Sequence, residues 1–218
     1  GWNLTFEGQK WIGDWEYVLG VNLRCQHLAL YTLKGCRKRD YPPSINYQQK
    51  WWKYYNKVED YFARLGYMLT RGKFVADILL MHPISSAWYM HDEKQPKDVE
   101  KLFKEFLNTS HLLSELHYDY DYGDETIISK HGRIKNKEFM INKMKYKVVI
   151  VPPSVTWFSI TVNLLEKFVR NGGKCIVIRP LPYCVEGVKT SKLAKLFKHK
   201  NVTVINNNKK ELDKAVKS

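Results

Sequence analysis

Tyr146-Lys147-Val148-Val149-Ile150-Val151-Pro152-Pro153 sets the architecture of this chain. Its run of β-branched, apolar residues without alternation reads as a strand buried on both faces. The paired prolines end it, because proline has no N–H to give a ladder. Downstream, Ile160, Leu164, Leu165, Phe168 and Val169 recur at helical spacing, and Gly172-Gly173 supplies a C-terminal cap. Lys174-Cys175-Ile176-Val177-Ile178 is then a second buried strand, stopped at Pro180. Strand, helix and strand in that order pair in parallel through a right-handed crossover.

The same alternation extends to both sides. Phe74 to Met81 is another buried run, ended at His82-Pro83, and a helix begins near Pro96 with Val99, Leu102, Phe103, Phe106, Leu107 and Leu113 on one stripe. Leu116 to Tyr122 reads as a strand with alternating aromatics, and Ile134 to Ile141 as a polar hairpin arm after the turn at His131-Gly132. Leu193, Leu196 and Phe197 mark a short helix before a last strand, Val202 to Ile205. The expected fold class is α/β, with a flavodoxin-like, doubly wound parallel sheet over residues 73–218. Residues 1–72 differ: they are rich in Trp and Tyr, with Val18 to Leu30 as a strand or strand-to-loop segment. One helix carries Val58, Phe62, Leu65 and Leu69 on its stripe.

Composition narrows the function classes. At 44% hydrophobic and 14% aromatic, 218 residues bury a substantial core and disorder is excluded. The longest apolar runs are far too short to cross a bilayer, so no membrane partner is expected. The net charge of +14 is concentrated in residues 121–218. Lys189, Lys192, Lys195, Lys198 and Lys200 fit a solvated helix face or turn. No basic stripe is interleaved with stacking aromatics, so nucleic acid is not an expected partner. A polyanion site is the alternative, and steeply salt-dependent binding would support it.

Neither a Gly-rich turn nor a P-loop follows the first strand: the turn is His82-Pro83-Ile84-Ser85-Ser86-Ala87-Trp88. Gly172-Gly173-Lys174 lies at the wrong end of its helix to cradle phosphate. No cofactor is therefore expected. Cys25, Cys36, Cys175 and Cys184 have no zinc-like spacing, so no metal is expected either. They read as free buried thiols or one incidental bridge. Cys184 past a strand end, with His82, is a weak nucleophile pair against a packed thiol. Asp119, Asp121, Asp124 and Glu125 read either as a cation or sugar-hydroxyl site or as turn and helix-start charges. Trp2, Trp11, Trp15, Tyr17, Tyr31, Tyr47, Trp51, Trp52, Tyr54 and Tyr55 read either as core or as the lining of a carbohydrate cleft. In the latter case Asn22, Arg24, Gln26 and His27 would supply fixed polar partners.

Several motifs occur in a recognisable order: Gly1-Trp2-Asn3-Leu4-Thr5-Phe6-Glu7 through Trp15, Leu19-Gly20-Val21-Asn22 with His27 and Tyr31, and Lys38-Arg39-Asp40-Tyr41-Pro42-Pro43-Ser44 with Tyr47-Gln48 and Trp51-Trp52. Ala76 to Pro83 with Ser86-Ala87-Trp88, Asp121-Tyr122-Gly123-Asp124-Glu125, and Tyr146 to Pro153 follow. Together they resemble the alpha-L-rhamnosidase-like glycoside hydrolases, from end to end. The resemblance implies that residues 1–72 are the last part of a (β/α)8-type barrel and residues 73–218 a glutamine-amidotransferase-like α/β domain. It implies a carbohydrate partner, a possible homo-oligomer, and catalytic glutamates on earlier strands, before Gly1. By the same resemblance Asn22, His27 and Tyr31 bind substrate and Glu7 is not catalytic. Asp40, in a basic loop with Arg37, Lys38 and Arg39, reads as a structural ion pair, with a site role as the alternative.

Overall fold

The computed structural model describes residues 2–26, 29–39, 45–92 and 97–218. The chain divides into two compact units, Gly1–Phe74 and Val75–Ser218.

The first unit is built on two helices, α1 (Phe6–Val18) and α2 (Asn56–Leu69). The Thr5 hydroxyl caps α1 by accepting from the Gly8 N–H at 3.1 Å, and Glu7 lies in the positive first turn. Gln9, Gly13 and Tyr17, four apart, are its buried face, and Val58, Phe62 and Gly66 repeat that spacing on α2. Glycine at 13 lets the helices close, since a Cβ there would sit 2.2 Å from the Phe62 ring. Tyr17, Ile45, Tyr55, Val58 and Phe62 form the core, with Phe6 and Trp51 edge to face at 5.2 Å.

Of the strand or strand-to-loop segment expected over Val18 to Leu30, no strand forms in the described residues. The N–H groups of Leu19, Gly20 and Val21 turn back onto carbonyls of α1, Gly20 takes φ 103°, and residues 21–26 run as an irregular segment. A single parallel bridge, Ala29 to Ile45, is the unit's β pairing among the described residues. Without a neighbouring strand to satisfy the backbone, an apolar run gains nothing from extension. The α2 stripe also stops early: Leu65 packs on the core but Leu69 is exposed at the helix end.

The second unit runs β1 (Ile78–Met81), α3 (Ile84–Met90), α4 (Lys97–Glu115), β2 (Tyr120–Gly123) and α5 (Glu125–His131). An antiparallel meander follows, β3 (Gly132–Lys135), β4 (Glu138–Ile141) and β5 (Met144–Tyr146). Then come β6 (Val148–Val151), β7 (Thr156–Trp157), α6 (Ser159–Arg170), β8 (Lys174–Ile178), β9 (Cys184–Val185) and β10 (Val188–Lys189). The chain ends with α7 (Lys192–Leu196), β11 (Val202–Ile205) and α8 (Lys209–Lys217).

Five strands form one parallel sheet in the order β11-β8-β6-β1-β2, while β10-β9-β7 makes a small separate sheet. The α/β expectation holds. Alternate residues face opposite ways, so Leu79, Met81, Val149, Val151 and Val177 pack under α6 and α7. Ile78, Leu80, Val148, Ile150 and Ile176 meet Phe106 and Leu113 of α4 and Leu212 of α8. Helices therefore cover both faces. No helix among the described residues is long and apolar enough to cross a membrane.

Four local expectations change. Only Ile78–Met81 of the Phe74–Met81 run pairs, because it alone lies between β2 and β6. The segment read as a strand from Leu116 starts with the end of α4: His117 takes φ 60° and the Tyr118 N–H closes onto the Leu113 carbonyl, so pairing begins at Tyr120. The His82–Trp88 turn holds a helix, α3, and the hairpin arm after Gly132 is a three-stranded meander.

Candidate functional site

In a doubly wound sheet, ligands sit outside the carboxyl ends of the strands where the order reverses, here between β1 and β6. At that point the protein's own polar groups bond to one another. The Ser86 hydroxyl donates to the Thr156 carbonyl at 2.8 Å and accepts from the N–H groups of Val155 and Thr156, both at 3.0 Å. Beside it, the fully buried Glu125 carboxylate accepts from the Ser85 hydroxyl and from the Phe158 N–H at 2.7 Å. Burial pushes the Glu125 carboxyl above its ordinary range, opposed by those two hydrogen bonds. The result is a knot tying α3, α5 and the start of α6 together.

The Asp119–Glu125 acids disperse accordingly. Asp121 accepts from the Tyr146 hydroxyl at 2.8 Å, and Asp124 caps α5 by accepting from the Ile127 N–H at 2.9 Å. Burial, and next the Asp121 carboxylate, raise the Tyr146 phenol. No group of three or more His, Cys, Asp or Glu among the described residues is arranged to hold a metal. Cys184 is fully buried on β9, while His82 packs on the Phe106 ring at 5.2 Å, and no hydrogen bond joins the two. Cys175 is fully buried as well, its thiol pushed up to about 12 by desolvation, whereas Cys25 and Cys36 are exposed. None of the four forms a bridge.

The first unit holds an open hollow of about 380 Å³ between the segment after α1 and the side of α2. Asn22, Leu23 and Arg24 form one wall; Glu59, Phe62, Gly66, Tyr67 and Thr70 form the other. Gly66 makes the approach possible, because a Cβ there would come within 2.9 Å of the Asn22 carbonyl oxygen. The Arg24 guanidinium lies over the Phe62 ring at 4.4 Å and donates to Gln9 Oε1 at 3.0 Å. Its Nη1 is buried without a hydrogen-bond partner, 3.6 Å from Glu59 Oε1. Gln26 donates to the same Glu59 carboxylate and to the Tyr55 hydroxyl at 3.0 Å. Burial, then Glu59, pushes the Tyr55 phenol up to about 12, so it stays protonated at neutral pH. Gln9 is itself buried with an unmatched Nε2. The hollow thus offers Tyr67 and Leu23 as apolar contacts, with an amide, a guanidinium, a carboxylate and a hydroxyl around them.

Such a set can hold a polyhydroxylated ligand. Glycosidic cleavage needs two carboxylates across the bond, and Glu59 is the one carboxylate lining the hollow among the described residues. Asp14 is engaged elsewhere, paired with Lys10 and accepting from the Tyr61 hydroxyl at 2.6 Å; Lys10 first, then Tyr61, lowers its carboxyl.

Of the residues predicted from sequence to bind substrate, Asn22 lines the hollow. Tyr31 is 93% exposed and is not part of it. His27 and Asp40 lie outside the described residues. Arg24 and Gln26, read as polar partners, join the network around Glu59, whereas Gln9, Glu59 and Thr70 carried no signal in the sequence. Glu59 and Gln9 sit on helices beside apolar neighbours, and only the meeting of α1 with α2 shows them to be neighbours.

The comparisons with known proteins agree with a carbohydrate-active origin. A protein of Formosa agariphila named "Putative beta-glucuronidase" is 27% identical over 191 residues, covering 83% of this chain and 14% of its own length. The chain thus spans about a seventh of that relative's length. The family model described as alpha-L-rhamnosidase matches residues 2–209. With nearly its whole length matched, the chain belongs to the alpha-L-rhamnosidase family of glycoside hydrolases.

Proposed function

We propose that this chain is the sugar-binding and scaffolding part of a larger glycoside hydrolase acting on alpha-L-rhamnosides. In this reading residues 1–72 complete a (β/α)8-type barrel, and residues 73–218 form a glutamine-amidotransferase-like domain. The hollow beside Asn22 holds the sugar, with His27 and Tyr31 as further substrate contacts, and the acid and base are supplied by the rest of the enzyme. The observation that carries it is the convergence of Asn22, Arg24 and Glu59 beside the Tyr67 ring, in a chain whose family cleaves glycosides. Two further features support it. The outer face of α1 leaves Trp11 73% and Trp15 60% exposed, an apolar stripe suited to packing against more protein. The match also covers a small share of its relative.

The test is release of a chromophore from an aryl alpha-L-rhamnoside by this chain and by a polypeptide extended upstream. Activity confined to the longer form is the expected result. Turnover by this chain alone would place the carboxylates within it, and silence from both would remove the rhamnoside reading.

A second reading, a non-catalytic interaction or oligomerisation module, is favoured by exposed Trp88, Tyr89, Tyr183 and Val188 on the second unit. It predicts a dimer or higher oligomer in sedimentation that Trp88→Ser dissociates. A monomer at all concentrations removes it.

A further inference from the structure

The meander has a feature that sugar binding in the hollow does not use. Residues 130–147 carry seven cations, Lys130, Arg133, Lys135, Lys137, Lys143, Lys145 and Lys147, against one acid, Glu138. All seven are exposed. The register explains why they gather. Arg133, Met140 and Lys145 stand in one cross-strand row, and Lys135 pairs with Glu138 in the next. Strands about 4.8 Å apart and residues about 6.8 Å apart along each strand space Arg133, Lys135 and Lys145 on one face. Lys137 and Lys143 sit in the turns that join the strands, and Lys130 and Lys147 flank the meander. The opposite face is apolar: Phe139 and Tyr146 are buried in the core. Two of the cations have carboxylate partners, Lys145 with Glu138 at 3.8 Å and Lys147 with Asp77 at 2.9 Å. Arg133 is steadied by its bond to the Asn142 carbonyl at 3.0 Å, and the Lys137 stem lies against Gly172, which leaves room for it. Among the described residues, Lys130, Lys135, Lys137 and Lys143 have no carboxylate within ion-pair distance. Unneutralised charges this close repel one another, so the face is costly until an anion covers it.

We infer that the outer face of the β3–β4–β5 meander is a docking surface for an acidic polysaccharide, a chain of carboxylate-bearing sugars. Charge complementarity selects an anionic polymer. The absence of exposed aromatics from the meander removes the stacking platform that single-stranded nucleic acid uses. Lysines, which outnumber arginine here, meet separated carboxylates as point charges rather than as bidentate forks. The choice of a sugar polymer rests on the carbohydrate reading above, but the surface is remote in sequence from the hollow and performs no chemistry. It holds polymer near the enzyme.

The test is affinity electrophoresis of the full chain through gels containing a polyuronate, the same polymer as its neutral methyl ester, or a single-stranded oligonucleotide. The measurement is repeated across a salt series. The quadruple variant Arg133→Gln, Lys135→Gln, Lys137→Gln, Lys143→Gln is compared with Lys189→Gln, Lys192→Gln, Lys195→Gln, Lys198→Gln, which loses equal charge elsewhere. The expected result is retardation by polyuronate only. It should weaken at least tenfold in the meander variant and less than twofold in the comparison variant, with a shallower dependence on salt. Equal retardation by the methyl ester, equal loss in both variants, or tighter binding of the oligonucleotide would overturn the inference. Because the readout is binding, failure of rhamnoside hydrolysis leaves it intact, and its own failure leaves the hollow untouched.

Discussion

Two glutamates of the second unit are driven in opposite directions by their surroundings. Glu211, at the start of α8, accepts from the Asn206 N–H and from the Asn206 and Asn208 side chains, which hold its carboxyl at about 2. Its contribution to stability is present above the ordinary value of 4.5 and fades as pH falls toward 2. Glu125 is raised by burial, so the folded state holds its proton more tightly than the unfolded chain. Its contribution is full below 4.5 and is lost as pH rises through the folded value. Glu125→Gln keeps one oxygen for the Phe158 N–H and offers an amide to Ser85. The unaltered chain is expected to lose stability as pH rises above 4.5, and Glu125→Gln to abolish that decline in the urea midpoint; an unchanged pH profile would refute this. At Gly66 two effects compete. Alanine gains about 1 kcal/mol of helix propensity, but its Cβ meets the Asn22 carbonyl, backbone that cannot swing aside, at a cost of about 1–3 kcal/mol. Gly66→Ala is therefore expected to be destabilising and to open the hollow, seen as weaker sugar binding. A more stable variant with intact binding would contradict it.

Elements were legible where burial and periodicity agreed. Val148–Val151 and Lys174–Ile178 announced themselves because both faces of each strand are covered, and Ile160 to Val169 because one face of α6 is. The helix α1 did not, since Trp11, Trp15 and Val18 place apolar groups opposite its buried Gln9, Gly13 and Tyr17, which cancels the one-sided pattern. Val18 to Leu30, a strand or strand-to-loop segment by its apolar residues, runs without a strand over residues 19–26, which have no paired neighbour. The seven-residue α3 is too short for periodicity, and its Ser85 and Ser86 are held by bonds to Glu125, Val155 and Thr156 that sequence cannot pair. Asp124 and Glu125 were both legible as helix-start charges, but the burial of Glu125 was not, because it depends on segments far along the chain. Loss of the α5 cap in Asp124→Ala should cost about 1 kcal/mol in denaturant unfolding. No change would mean that packing of Ile128 alone holds α5.

For the whole molecule, family membership joins two units of different character: a parallel sheet whose switch point is crossed by hydrogen bonds among its own residues, and a helical unit with an open polar hollow. The decisive measurement is a titration of the chain, labelled with ¹⁵N, with methyl alpha-L-rhamnoside, followed by NMR. A sugar site in the hollow gives saturable shifts concentrated at Asn22, Arg24, Glu59 and Gly66, weakened about tenfold by Arg24→Ala, a loss of about 1.4 kcal/mol. Shifts confined to the sheet unit, or none at concentrations that saturate monosaccharide sites, would contradict it.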